Sequence, residues 1–98
     1  MPEEHGARAE RLAVAVGRAL DEDVAALSPV HGGDVAEAFR VDLADGRTVF
    51  AKTHRHPPPG FFVTEATGLT WLREAGTVAV PEVLAVLDDP PALVLEWI

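Results

Sequence analysis

Along residues 7–20 the apolar positions Ala9, Leu12, Ala13, Val16, Ala19 and Leu20 recur at spacings of three and four, while Arg8, Arg11 and Arg18 share another face. That period predicts an amphipathic helix, bracketed by Pro2 and Gly6 on one side and Asp21-Glu22-Asp23 on the other. Residues 24–31 are apolar enough for a strand, but Pro29 cannot donate to a ladder, so an edge position is expected. Gly32-Gly33 then breaks the chain. From Ala36 to Leu43 the side chains alternate, Ala36, Ala38, Arg40 and Asp42 against Glu37, Phe39, Val41 and Leu43, as in a half-buried strand. Asp45-Gly46 predicts a two-residue hairpin into a partner strand over residues 47–53. Residues 54–60 carry Pro57, Pro58 and Pro59 in a row and must be a loop. Residues 61–75 read as a second helix stopped by Gly76. Two apolar strands, 83–87 and 92–96, flank the turn residues Asp88-Asp89-Pro90-Pro91. This order predicts an α+β fold: a five-stranded antiparallel sheet with one helix packed on it, plus an N-terminal helix. We divide it into a helical segment, 1–23, and a sheet-and-helix lobe, 24–98.

The second helix contains a polar anomaly. Phe61, Phe62, Leu69 and Leu72 form its apolar stripe, and Glu65 falls in the middle of that stripe. A buried carboxylate needs a partner or it takes up a proton. Lys52 ends the run Val49-Phe50-Ala51-Lys52; if Phe50 faces inward, the period of two puts Lys52 on the same face. A strand lysine facing a helix glutamate is the pair that orients a kinase lysine toward ATP phosphates, and Val-Phe-Ala-Lys is similar to the Val-Ala-Ile-Lys strand of protein kinases. The same residues also fit a lysine snorkelling to solvent beside a glutamate at the stripe's edge.

Composition narrows the choice of partners. The 98 residues include 8 Lys+Arg and 16 Asp+Glu, a net charge of −8, which repels phosphate backbones and argues against a nucleic-acid partner. With 48% hydrophobic and 24% charged residues the chain suits one small globular core. The absence of cysteine excludes disulfides, thiolate metal sites and a cysteine nucleophile, and fits a reducing cytoplasm. No apolar run reaches the roughly 18 residues of a membrane span. The N-terminus is acidic where a secretory leader would be basic. The chain ends on Leu93-Val94-Leu95-Glu96-Trp97-Ile98, a buried-looking strand with no polar tail, so further protein is expected after it.

Other residues offer less. Gly32-Gly33 could let backbone amides approach a phosphate, but Gly-Gly is also common in plain turns. His54-x-His56 could touch a metal, yet two imidazoles without thiols or a nearby third ligand make a poor zinc set, and no metal site is assigned. Ser28 is the only serine and lacks the surroundings of a nucleophile. Trp71 and Trp97 are taken as core residues.

Taken together, Gly32-Gly33-Asp34-Val35, Leu43-x-Asp45-Gly46-Arg47, Phe50-Ala51-Lys52-Thr53-His54, Phe61-Phe62-x-x-Glu65-Ala66-x-Gly68-Leu69-x-Trp71-Leu72, Val80-Pro81 and Leu93-Val94-Leu95-Glu96-Trp97-Ile98 occur in one order over about two thirds of the chain. In that pattern the chain from about Val30 to Ile98 resembles the fructosamine-3-kinase (ketosamine-3-kinase) family, among the aminoglycoside-phosphotransferase-like kinases. The resemblance implies a kinase-like N-terminal lobe in which Lys52 holds the α- and β-phosphates of ATP and Glu65 positions it. It also implies that Gly32, Gly33, Asp34 and Val35 cover the phosphates. In the same pattern the hinge is Glu96, Trp97 and Ile98, with the Glu96 carbonyl and Ile98 amide meeting adenine. Family members transfer the ATP γ-phosphate to a hydroxyl of a sugar-derived ketosamine, free or protein-bound. Their catalytic Asp and Mg²⁺ ligands lie in a later lobe, so this chain alone is expected to be inactive. Two other readings stand beside this one: a sibling kinase acting on aminoglycosides, choline or homoserine, and a non-catalytic α+β interaction module.

Overall fold

The computed structural model describes residues 2–30, 36–54, 56–76 and 79–97. Its elements run α1 (Pro2–Leu20), β1 (Val24–Val30), β2 (Ala36–Leu43), β3 (Thr48–His54), α2 (Phe61–Ala75), β4 (Val83–Asp88) and β5 (Pro91–Glu96). The strands form one five-stranded sheet in the order β1-β2-β3-β5-β4, and every neighbouring pair is antiparallel. β1 is an edge strand, which is where Pro29 can sit without costing a central ladder bond.

Strand alternation divides the core into two halves. Val49 and Ala51 of β3 and Ala92 and Val94 of β5 face α1, where they pack with Leu12, Val16, Val41 and Leu43. Phe50 of β3 and Leu93 and Leu95 of β5 face the other way, against Phe62 and Ala66 of α2. The helices therefore cover opposite faces of the sheet. That is why β5 reads as an unbroken apolar run: residues 92–95 are buried whichever way they point. One packed helix was expected, and the structure has two. Leu12 and Val16 are 1% and 0% exposed, so α1 shares the core of the sheet. α1 also starts at Pro2 rather than near residue 7. Proline is pre-organised for the first helical turn, and a glycine such as Gly6 lowers helix propensity by only about 1 kcal/mol.

The hairpin differs from expectation by one residue. Leu43 N–H donates to Arg47 O at 2.8 Å around a three-residue loop, and Gly46 has φ 94°. A type I turn followed by a left-handed glycine is the usual solution at this length. Arg47 fastens the loop, its amide and its Nε donating to the Asp45 carboxylate at 2.9 and 2.7 Å. These two bonds hold the Asp45 carboxyl below its ordinary pKa. Helix α2 ends as expected at Gly76, which adopts φ 71° and donates its amide to Leu72 O and Arg73 O. No described helix is long and apolar enough to cross a membrane.

Candidate active site

Sheet register builds the site. One row across the five strands runs Val30, Ala38, Lys52, Leu93 and Val86, and the next runs Ser28, Arg40, Phe50, Leu95 and Val83. Directly opposed residues of antiparallel strands share a face, so Lys52 and Phe50 stand on the α2 side, as the period of two required. Helix α2 lies over that face and begins after Gly60, whose φ of 74° suits only glycine well. Glu65, one turn into α2, meets the lysine: Lys52 Nζ lies 3.1 Å from Glu65 Oε2 and 3.4 Å from Oε1.

The pair is less buried than the stripe implied, with side-chain exposures of 32% for Lys52 and 29% for Glu65. Helix geometry supplies the reason. At 100° per residue, Phe62, Ala66, Leu69 and Arg73 lie within about 40° of one line, and Glu65 lies about 60° and Leu72 about 80° to one side of it. The helix seats the first line on the sheet: Phe62 and Ala66 are 4% and 9% exposed, while Leu72 is 38% exposed. Glu65 therefore rides the edge of the contact, and water reaches both partners.

Beyond Phe50, Trp97 follows β5. Its ring centroid lies 6.3 Å from that of Phe50, and the Arg40 guanidinium carbon sits 5.6 Å above the indole. Arg40 Nε also donates to Asp42 Oδ1 at 3.1 Å, and Thr48 Oγ1 donates to the same oxygen at 2.9 Å. These bonds, that from Thr48 foremost, lower the Asp42 pKa. Trp97 is 40% and Trp71 68% exposed, so neither is a core residue. Trp71 lies about 180° from Phe62 around α2, and Trp97 lies past the end of the paired strand.

His54 packs its ring 5.0 Å from that of Phe61, and its Nδ1 accepts the His56 amide at 3.1 Å. Among the described residues no three His, Asp or Glu side chains gather as a metal set. Gly32, Gly33, Asp34, Val35 and Ile98 lie outside the described residues; Val30 lies in the row of Lys52, beyond Ala38.

The structure adds residues that the pattern did not single out. Arg40 covers Trp97. At the far end of α2, Arg73 donates to Val80 O at 3.1 Å and lies 3.7 Å from Glu96 Oε1, while the Glu82 amide donates to that same Oε1 at 3.1 Å. The signal for Arg73 was present in the sequence as the next member of the Phe62, Ala66, Leu69 spacing.

Comparison with known proteins gives the family. The family model described as fructosamine kinase matches residues 8–98. A Thermus thermophilus protein named "probable ketoamine kinase" is 51% identical over 55 residues, covering 56% of this chain and 19% of that protein. A Staphylococcus aureus protein of the same name is 41% identical over 64 residues, covering 65% of this chain and 22% of that one. A crystal structure of a Thermobifida fusca protein bearing the name fructosamine-3-kinase superposes with a TM-score of 0.72 at 31% identity, over 89% of this chain and 31% of that one. The chain thus spans about a fifth of the length of these curated relatives. A family model that matches residues 8–98, and a lobe that superposes on a protein of that name, make this chain a member of the fructosamine kinase family.

Proposed function

We propose that this chain is the ATP-binding N-terminal lobe of a kinase that transfers the ATP γ-phosphate to a hydroxyl of a sugar-derived ketosamine. The observation that carries the reading is Lys52, held 3.1 Å from Glu65 with a third of its side chain still open to solvent, in a member of this family. An ammonium has three donors; Glu65 engages it from the helix side and leaves capacity for phosphate oxygens. Phe50 and Trp97 lie beside it on the same face, an apolar neighbour suited to a planar base.

In this reading Lys52 holds the α- and β-phosphates and Glu65 orients it. Gly32, Gly33, Asp34 and Val35 cover the phosphates, and the Glu96 carbonyl and the Ile98 amide meet the base beside Trp97. ATP supplies the phosphoryl group, and Mg²⁺ neutralises its charge. Lys52 holds the only full positive charge on its row of the sheet, and Glu65 is engaged by it. The catalytic carboxylate and Mg²⁺ ligands are then assigned to a further lobe of a family-length protein, and this chain by itself binds nucleotide without turning it over. The need for ATP suits a cytoplasmic enzyme. The test is a panel assay on the full-length protein. Mg²⁺-dependent phosphorylation of a ketosamine such as fructoselysine is expected. Preferred turnover of an aminoglycoside, choline or homoserine would overturn the substrate, and no ATP binding at all would overturn the kinase.

A further inference from the structure

We propose that Arg73 and Glu96 are positioning residues for Lys52, clamping the C-terminal end of α2 so that Glu65 stays over the lysine. In giving Lys52 a catalytic purpose this rests on the kinase reading above; its test does not.

Along its length α2 meets the sheet through apolar side chains, Phe62 and Ala66 against Leu93 and Leu95 with Leu69, Val83 and Val86 packed around them. Such contact is non-directional. It keeps the helix on the sheet but sets its position along the strands only weakly, and directional groups must do the rest. Among the described residues, polar side chains tie α2 to the sheet near each end. Glu65 binds Lys52, and Arg73 binds Val80 O at 3.1 Å and approaches Glu96 Oε1 at 3.7 Å. Eight residues separate Glu65 from Arg73, about 12 Å of helix. Lys52 stands opposite Leu93 on β5, and the three residues from Leu93 to Glu96 span about 10 Å of strand. The spacings match, so one setting of the helix satisfies both ties. A slip of one residue, about 1.5 Å with a 100° turn, breaks both.

The target of Arg73 is itself fixed. Glu96 N–H donates to Glu82 O at 2.9 Å, and Glu82 N–H returns a bond to Glu96 Oε1 at 3.1 Å, which pins the carboxylate to the backbone. Arg73 occupies the last turn of α2, where a cation also suits the helix dipole. Both side chains are about half exposed, so the pair adds little to global stability. What it controls is where the helix sits.

Lys52 is the only lysine in the sequence, so a chain labelled with ¹³C-lysine reports this one ε-methylene. Glu65→Gln first defines the displacement of that signal when the ion pair is lost. Arg73→Met and Glu96→Gln should each shift it in the same direction, by about a third of that displacement or more if the sites are coupled. Arg73→Lys adds a second lysine signal; the Lys52 signal, identified there as the one that a further Glu65→Gln displaces, should keep the wild-type position. Arg47→Met removes an equally exposed ion pair in the β2–β3 hairpin and should leave the signal unmoved. A wild-type Lys52 signal in folded Arg73→Met and Glu96→Gln overturns the proposal. Should Arg73→Met fail to fold, Glu96→Gln decides, because its amide oxygen still accepts from Glu82. Loss of the kinase reading would show separately, as a normal Lys52–Glu65 signal in a chain that binds no nucleotide.

Discussion

Lys52→Met separates stability from ligand binding at one residue. If the ion pair were fully buried, removing the lysine would strand a charge and cost about 3–5 kcal/mol. The structure leaves 32% of Lys52 and 29% of Glu65 exposed, so a stranded Glu65 can turn to water. The expected loss is therefore near the top of the range for exposed pairs, about 1 kcal/mol. For a domain of this size that lowers the melting temperature by about 4–8 °C. The effect on phosphate should be larger. A hydrogen bond to a charged group contributes about 1.5–3 kcal/mol, which corresponds to a roughly 10- to 150-fold loss of ADP affinity. Calorimetric melting gives the first quantity and calorimetric titration of ADP gives the second. Glu65→Gln should melt within about 1 kcal/mol of wild type. A loss above about 3 kcal/mol in Lys52→Met would mean the pair is buried after all. Unchanged ADP affinity would mean that this lysine does not face phosphate.

Two glycines in helices should respond oppositely to alanine. At Gly17 an added Cβ would lie 2.9 Å from the Glu22 carbonyl oxygen, and Glu22 N–H donates back to Gly17 O at 3.0 Å, so Gly17→Ala should cost about 1–3 kcal/mol by thermal melting despite better helix propensity. At Gly68 nothing lies within 4 Å, and Gly68→Ala should stabilise α2 by about 0.5–1 kcal/mol; a loss there would place an unseen neighbour beside the helix. Leu93→Ala empties a fully buried position between β5 and α2 and should cost about 2–5 kcal/mol in denaturant unfolding, whereas a loss below 1 would mean that the α2 contact is loose. Asp42 is held below its ordinary value of 3.8, first by Thr48 and then by Arg40, so its contribution is present above about pH 4 and fades as pH falls through the lowered value. Thr48→Val should raise the Asp42 midpoint in an NMR titration, and an unchanged midpoint would remove Thr48 as the cause.

Much of this protein is set by its local sequence, because local rules suffice there. Pro29 marks an edge strand, Asp45-Gly46 a hairpin, Gly76 a helix end, and the period of two puts Phe50 and Lys52 on one face; each depends on a few bonds between near neighbours. The Lys52–Glu65 pair was legible for the same reason, since a short loop joins its strand to its helix. What the tertiary structure decided is the phase of each helix against the sheet. Phe61, Phe62, Leu69 and Leu72 define a stripe, but its centre depends on what it meets. Leu93 and Leu95 draw the contact toward Phe62 and Ala66, which leaves Glu65 at the margin, Leu72 38% exposed and Trp71 in solvent. Likewise the pattern of α1 predicts a buried face and not which side of the sheet receives it. That side follows from β5, apolar on both faces and stable only with a helix on each. Arg73 meets Glu96 for the same reason: a charge at the end of an apolar stripe finds a partner only once the strand beneath it is in place.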